Sequence, residues 1–201
     1  MWVKVCGCRT ADGVDAAVQA GADAIGLIFA ESRRSVTPDQ ARRLAERVPS
    51  SVAIVGVLRS PSALLVRDLV QTVPLDLVQL SGIMPRGARR LVPFLRTVYL
   101  GPEERLPAGR MPHAYALHID RRSARHGGTG ERVNVRAARR IVEMGRRVVL
   151  AGGLTPQNVA QAIREVMPYG VDVASGVEKN GQQNPEAIFR FVQAARGVEE
   201  R

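Results

Sequence analysis

Short apolar segments of β type recur down the chain at 3–6, 24–29, 52–58, 77–80, 97–100, 114–119, 148–151 and 171–174, and helix-period stretches lie between most of them at 12–20, 38–48, 61–70, 85–95, 135–144, 156–166 and 185–195. This alternation narrows the fold more than any other feature. Strands separated by helices must pair in parallel, and a nearly continuous apolar strand such as Val52-Ala53-Ile54-Val55-Gly56-Val57 requires cover on both faces. Eight units in 201 residues average about 25 residues each, which fits a small α/β (β/α)8 barrel of one domain spanning 1–201. The competing doubly wound sheet would carry a glycine fingerprint after its first strand. Here that strand ends in Cys6-Gly7-Cys8-Arg9-Thr10, which lacks one. Helix starts are marked by a capping side chain followed by proline at Thr37-Pro38, Ser60-Pro61, Thr155-Pro156 and Asn184-Pro185. The prolines and glycine of 102–112 leave room for at most a degenerate turn of helix between strands five and six.

Composition removes several function classes. A formal net charge of +10 suggests nucleic acid, yet only Lys4 and Lys179 are lysines, and the arginines are spread along the chain in pairs on what read as exposed helix faces. With 4% aromatic residues, a base-stacking platform is missing, so the charge reads as a solvated arginine-rich surface that attracts anionic substrates. No apolar run approaches the roughly 20 residues of a membrane span, and the start Met1-Trp2-Val3-Lys4-Val5 lacks the features of a signal peptide, which points to the cytoplasm. Cys6 and Cys8 are too close for an ordinary disulfide. Beside His113, His118 and His126 they do not complete a metal set.

In a barrel the loops that follow strands form the active-site end, so residues at strand C-termini carry the chemistry. Four constellations stand there: Cys6, Asp120, the turn Gly152-Gly153-Leu154-Thr155, and Ser175-Gly176-Val177. Glycine turns after the last two strands expose backbone N–H groups and make a phosphate cradle from Gly152, Gly153, Ser175 and Gly176. Read without further context, Cys6 is a small buried hydrophobe and Asp120 a loop-capping carboxylate.

Further fragments stand in one order along the chain: Lys4-Val5-Cys6-Gly7, Gly21-Ala22-Asp23-Ala24-Ile25-Gly26, Ser32-Arg33-Arg34-Ser35-Val36-Thr37-Pro38, Val55-Gly56-Val57 and Val78-Gln79-Leu80. They are followed by Gly127-Gly128-Thr129-Gly130, Leu150-Ala151-Gly152-Gly153-Leu154-Thr155-Pro156-Gln157-Asn158-Val159 and Gly170-Val171-Asp172-Val173-Ala174-Ser175-Gly176-Val177-Glu178. With these fragments the chain resembles the phosphoribosylanthranilate isomerases, tryptophan-pathway barrels that carry out an Amadori rearrangement. The resemblance implies Cys6 as general base, Asp120 as general acid, Arg34 rather than Arg33 on the anthranilate carboxylate, and Gly127 and Gly128 at the substrate. Asp172 would orient the substrate amine or satisfy polar groups of the barrel. Neither a metal nor an organic cofactor is implied, and the partner is a small-molecule phosphosugar, with no nucleic acid or membrane and a monomeric or homodimeric state. The chemistry suits these types: one proton goes to the furanose ring oxygen and another leaves the sugar C2, giving a bell-shaped pH profile with its acidic limb from the base and its alkaline limb from the acid.

This chain departs from the family pattern at Ser81, where a histidine is usual, and at Val133, Asn134 and Val135, where Phe-Asp-Trp is usual. The short 102–112 segment is a third departure. These leave two other readings beside the isomerase: a paralogue acting on another N-phosphoribosyl aromatic amine, and a non-catalytic barrel that binds phosphosugar or nucleic acid.

Overall fold

Period-two alternation inside apolar strands gives each strand one face for the barrel interior and one for the surrounding helices. A computed structural model describes residues 1–87, 90–100, 114–121 and 134–198. In it β1 (Trp2–Cys6), β2 (Ala24–Ile28), β3 (Ala53–Arg59), β4 (Leu77–Ser81), β5 (Phe94–Tyr99), β6 (Ala116–Asp120), β7 (Val148–Leu150) and β8 (Gly170–Val173) close into a parallel barrel in chain order. Closure comes from β8 against β1, with Trp2 opposite Gly170 and Lys4 opposite Asp172. Outside it lie α1 (Ala11–Gln19), α2 (Pro38–Ala45), α3 (Ala63–Thr72), α4 (Val135–Glu143), α5 (Val159–Val166) and α6 (Pro185–Arg196). The hairpin of β9 (Glu178–Lys179) and β10 (Gln182–Gln183) precedes α6.

The interior is layered. At the end where the strands begin, Ala24, Val55, Leu77, Leu95, Ala116 and Val149 form an apolar plug. One step up the strands stand Lys4, Gln79, Thr97, His118 and Asp172, which are all of the buried polar and charged residues among those described. Below the plug, Trp2 stacks on Tyr169 at 6.2 Å between ring centroids, and Arg147 sits 5.2 Å over the Tyr169 ring.

Several local signals hold. Thr37 Oγ1 accepts from the Gln40 N–H at 3.2 Å in a capping box ahead of Pro38, and the Asn184 side chain caps α6 ahead of Pro185 by accepting from the Ala187 N–H. Three expectations change. The helix expected over 85–95 is not formed among the described residues, and β5 starts at Phe94 rather than Thr97. Pro93 is the reason: it cannot occupy a helix interior and it drives Val92 toward extended backbone, so Phe94 and Leu95 join the sheet opposite Val78 and Gln79. The cap of α3 is Ser62 rather than Ser60, whose hydroxyl instead accepts from the Ile83 N–H at 3.0 Å. Helix α5 starts at Val159, three residues after Pro156. The segment expected to hold only a turn, 102–112, lies outside the described residues. Among those described, no helix is long and apolar enough to cross a membrane.

Candidate active site

Because β1 and β6 end in the same direction, Cys6 and Asp120 are both carried to the mouth of the barrel where the strands finish. A cavity of about 190 Å³ opens there, with Arg34, Asp120 and Asp172 in its lining. Gly152 and Gly153 after β7 and Ser175 and Gly176 after β8 form another part of its wall. The two turns touch closely: a Cβ on Gly176 would stand 1.8 Å from the Leu154 carbonyl oxygen. Asn158, expected only as part of the run into α5, works backwards from its position. Its Oδ1 accepts from the Thr155 N–H at 2.8 Å and its amide donates to the Gly153 carbonyl at 2.9 Å, which fixes the first turn and leaves Thr155 without a capping role.

Arg34 lies against the cavity with its side chain 14% exposed, whereas Arg33 is 57% exposed and does not line it. A bidentate partner for Arg34 is already present. Glu178 accepts from Arg34 Nε at 2.5 Å and from Nη2 at 2.8 Å, and from Arg33 Nη2 at 2.6 Å. Burial works against the Glu178 charge, but the arginine fork outweighs it and holds the carboxyl below its ordinary range. Glu178 was absent from the residues singled out by chemistry, although it ends the Ser175–Glu178 motif.

Beneath the mouth, Asp172 clasps two side chains. Lys4 Nζ donates to its Oδ1 at 2.9 Å, and His118 Nε2 lies 2.8 Å from its Oδ2. Gln79 Oε1 accepts from Lys4 Nζ at 3.0 Å and Thr97 Oγ1 lies 3.4 Å from His118 Nδ1. Since Lys4 and Cys6 share a face of β1, and His118 and Asp120 share a face of β6, Asp172 joins the two residues that underlie the expected base and acid. Burial opposes the Asp172 charge, yet Lys4 and His118 together lower its pKa. Taking one partner from such a buried pair costs about 3–5 kcal/mol of stability.

Burial pushes the Cys6 thiol up, with Lys4 and Arg34 pulling it back and Asp172 adding to the rise. Burial also raises Asp120, against the His118 side chain and the Arg121 N–H that donates to its Oδ1 at 2.8 Å. A thiol is ordinarily the weaker acid of the two, and burial raises both groups. With Cys6 as base and Asp120 as acid, the form with thiolate and neutral carboxyl would be a minority form, level between the two pKa values, so activity would be lost on the acidic side through Asp120 and on the alkaline side through Cys6, the reverse of the expected assignment.

A family model for N-(5'phosphoribosyl)anthranilate (PRA) isomerase matches residues 3–194. The chain belongs to the phosphoribosylanthranilate isomerase family. Among named relatives, the N-(5'-phosphoribosyl)anthranilate isomerase of Listeria monocytogenes serotype 4b is 39% identical over 202 residues, 99% of this chain and 100% of the relative. The crystal structure of phosphoribosyl anthranilate isomerase from Thermus thermophilus superposes with a TM-score of 0.85 at 30% identity, over 98% of this chain and 100% of that one. A further phosphoribosyl anthranilate isomerase, solved in complex with reduced 1-(o-carboxyphenylamino)-1-deoxyribulose 5-phosphate, matches at a TM-score of 0.79 and 28% identity, covering 98% of this chain and 99% of that one.

Within this isomerase barrel the departures are structurally mild where they are described. Ser81 closes β4 with its hydroxyl donating to the Leu58 carbonyl at 3.3 Å, and Asn134 caps α4 by accepting from the Ala137 N–H at 3.0 Å, as an aspartate would. Val135 opens that helix. Gly127, Gly128 and Val133 lie outside the described residues. Cys6 and Cys8 are free cysteines. Among the described residues, no cluster of His, Cys, Asp and Glu could hold a metal ion.

Proposed function

We propose that this chain converts N-(5-phosphoribosyl)anthranilate into 1-(2-carboxyphenylamino)-1-deoxyribulose 5-phosphate in the cytoplasm, as a step of tryptophan biosynthesis. The observation that carries this reading is the paired floor, in which Asp172 links the residue beneath Cys6 to the residue beneath Asp120. Asp120 gives its proton to the furanose ring oxygen as the C1–O bond breaks, leaving a protonated C1=N bond. Cys6 as thiolate then takes the C2 proton, and the electrons of that C–H bond form the enolamine double bond. Transfer of a proton from the C2 hydroxyl to C1 gives the ketone, so the product is an isomer of the substrate. The raised pKa of Asp120 favours the protonated carboxyl that the first step needs.

The glycine turns after β7 and β8 would hold the phosphate, whose charge suits backbone N–H groups and the start of α5. Arg34 would meet the anthranilate carboxylate through the guanidinium N–H groups that Glu178 leaves open, while Asp172 lies in the floor with its charge compensated by Lys4 and His118. The direct test is turnover of phosphoribosylanthranilate generated in situ, backed by complementation of a strain lacking this step. Turnover of a different N-phosphoribosyl aromatic amine, with none of the anthranilate compound, would overturn the reading. Within it, Arg34→Ala should lower kcat/KM more than tenfold, because a hydrogen bond to a charged group contributes roughly 1.5–3 kcal/mol, whereas Arg33→Ala should stay within about twofold. The reverse order in steady-state kinetics would transfer the carboxylate to Arg33.

A further inference from the structure

Lys4 and Cys6 stand two residues apart on β1, so they share the inward face, with Lys4 one layer deeper. Lys4 is fully buried, whereas the chain's other lysine, Lys179, is exposed. An ammonium so far from water persists only where other groups compensate it. Asp172 and Gln79 take two of its three donors, at 2.9 and 3.0 Å, and the Cys6 sulfur lies beside its stem. Burial works against its charge, but Asp172 and Cys6 together raise its pKa above the ordinary lysine value.

The strand alongside makes this arrangement possible. Gly26 on β2 pairs in register with Cys6, and a Cβ there would stand 2.8 Å from Cys6 Sγ and 3.1 Å from Lys4 Cε. A missing side chain thus leaves one niche in which the sulfur and the lysine stem meet. Cys8, two residues further on, shows what a buried thiol becomes next to an amide: with the Gln183 Nε2 at 3.4 Å as its partner, burial pushes it up to about 12.

We propose that Lys4 is a positioning residue, fixed by Asp172 and Gln79 beneath Cys6 so that its ammonium supplies the counter-charge for the sulfur when Cys6 acts as the base. The proposal rests on the isomerase reading above. Lys4 does not touch the substrate, since it lies wholly under the cavity floor. The charged groups that bear on the sulfur are Lys4 from its own strand, Asp172 from β8 and Arg34 from the turn after β2, and Cys8 stands nearby. Among them Lys4 has the largest effect, and Asp172 acts in the opposite direction.

The test follows the ultraviolet thiolate absorbance of Cys6 against pH, taken as the difference from the Cys6→Ser protein, together with the pH profile of kcat/KM. Lys4→Met should move the titration and the alkaline limb upward by about one pH unit or more, and lower the plateau of kcat/KM by roughly tenfold per unit. Asp172→Asn should move the titration downward. If Lys4→Met does not fold, the combined Lys4→Met and Asp172→Asn protein, which removes both charges, takes its place, with a smaller upward shift expected because loss of Asp172 offsets part of the loss of Lys4. Should the titration stay within about 0.3 unit in all of these, whatever happens to activity, Lys4 serves the fold alone and the proposal fails. A titration that shifts while the alkaline limb of kcat/KM stays fixed would keep Lys4 as the counter-charge and remove Cys6 as the base, so the two readings fail separately.

Discussion

Cys6→Ser and Asp120→Asn should each lower kcat by about 10²-fold or more, with far-ultraviolet circular dichroism unchanged, if they are the proposed base and acid. Serine is nearly isosteric with cysteine and far less acidic, so the replacement separates basicity from packing at a position only 6% exposed. Asparagine keeps the shape of Asp120 and can still accept from the Arg121 N–H, but it has no proton to deliver to the ring oxygen. In the Asp120→Asn protein the residual activity should rise with pH up to the titration of the thiol and the alkaline limb should disappear, because only the thiolate is then required. A Cys6→Ser protein turning over substrate at the wild-type rate would return Cys6 to the role of a buried packing residue.

The second large effect concerns binding. In Gly176→Ala the new Cβ would stand 1.8 Å from the Leu154 carbonyl oxygen and 2.9 Å from its carbon, both backbone atoms that cannot rotate aside. The turns after β7 and β8 must separate, and the N–H groups proposed to share one phosphate would diverge. KM should rise roughly tenfold or more, with inhibition by inorganic phosphate weakened in parallel and kcat changed much less, since charge-assisted hydrogen bonds to the phosphate are lost in ground and transition states alike. Unchanged KM and unchanged phosphate inhibition would place the phosphate elsewhere in the mouth.

What could be read in the sequence was local. The alternation of Lys4 with Cys6 and of His118 with Asp120 is visible within a single strand, as are the caps at Thr37 and Asn184 and the glycine turns at Gly152 and Gly176. Even locally, the apolar content of 85–95 outweighed Pro93, whose missing N–H decided where β5 starts. The clasp of Asp172 on Lys4 and His118 joins residues 168 and 54 positions apart, and Glu178 meets Arg34 across 144. Such pairs are set by strand order and register, which follow only from closure of the barrel. The rise of the two pKa values was hidden for the same reason, because it depends on how deeply each group is covered.

The closure seam offers a way to watch the protein without touching its chemistry. Trp2 is the chain's single tryptophan, and it stacks on Tyr169 just ahead of β8, beyond the apolar plug from the cavity. Its emission is therefore an optical gauge of whether the first and last strands are zipped together. Substrate analogues at the mouth should leave this signal nearly constant, while denaturant that opens the β1–β8 edge should change it. One intrinsic fluorophore thus separates loss of the scaffold from loss of ligand when inactive variants are sorted.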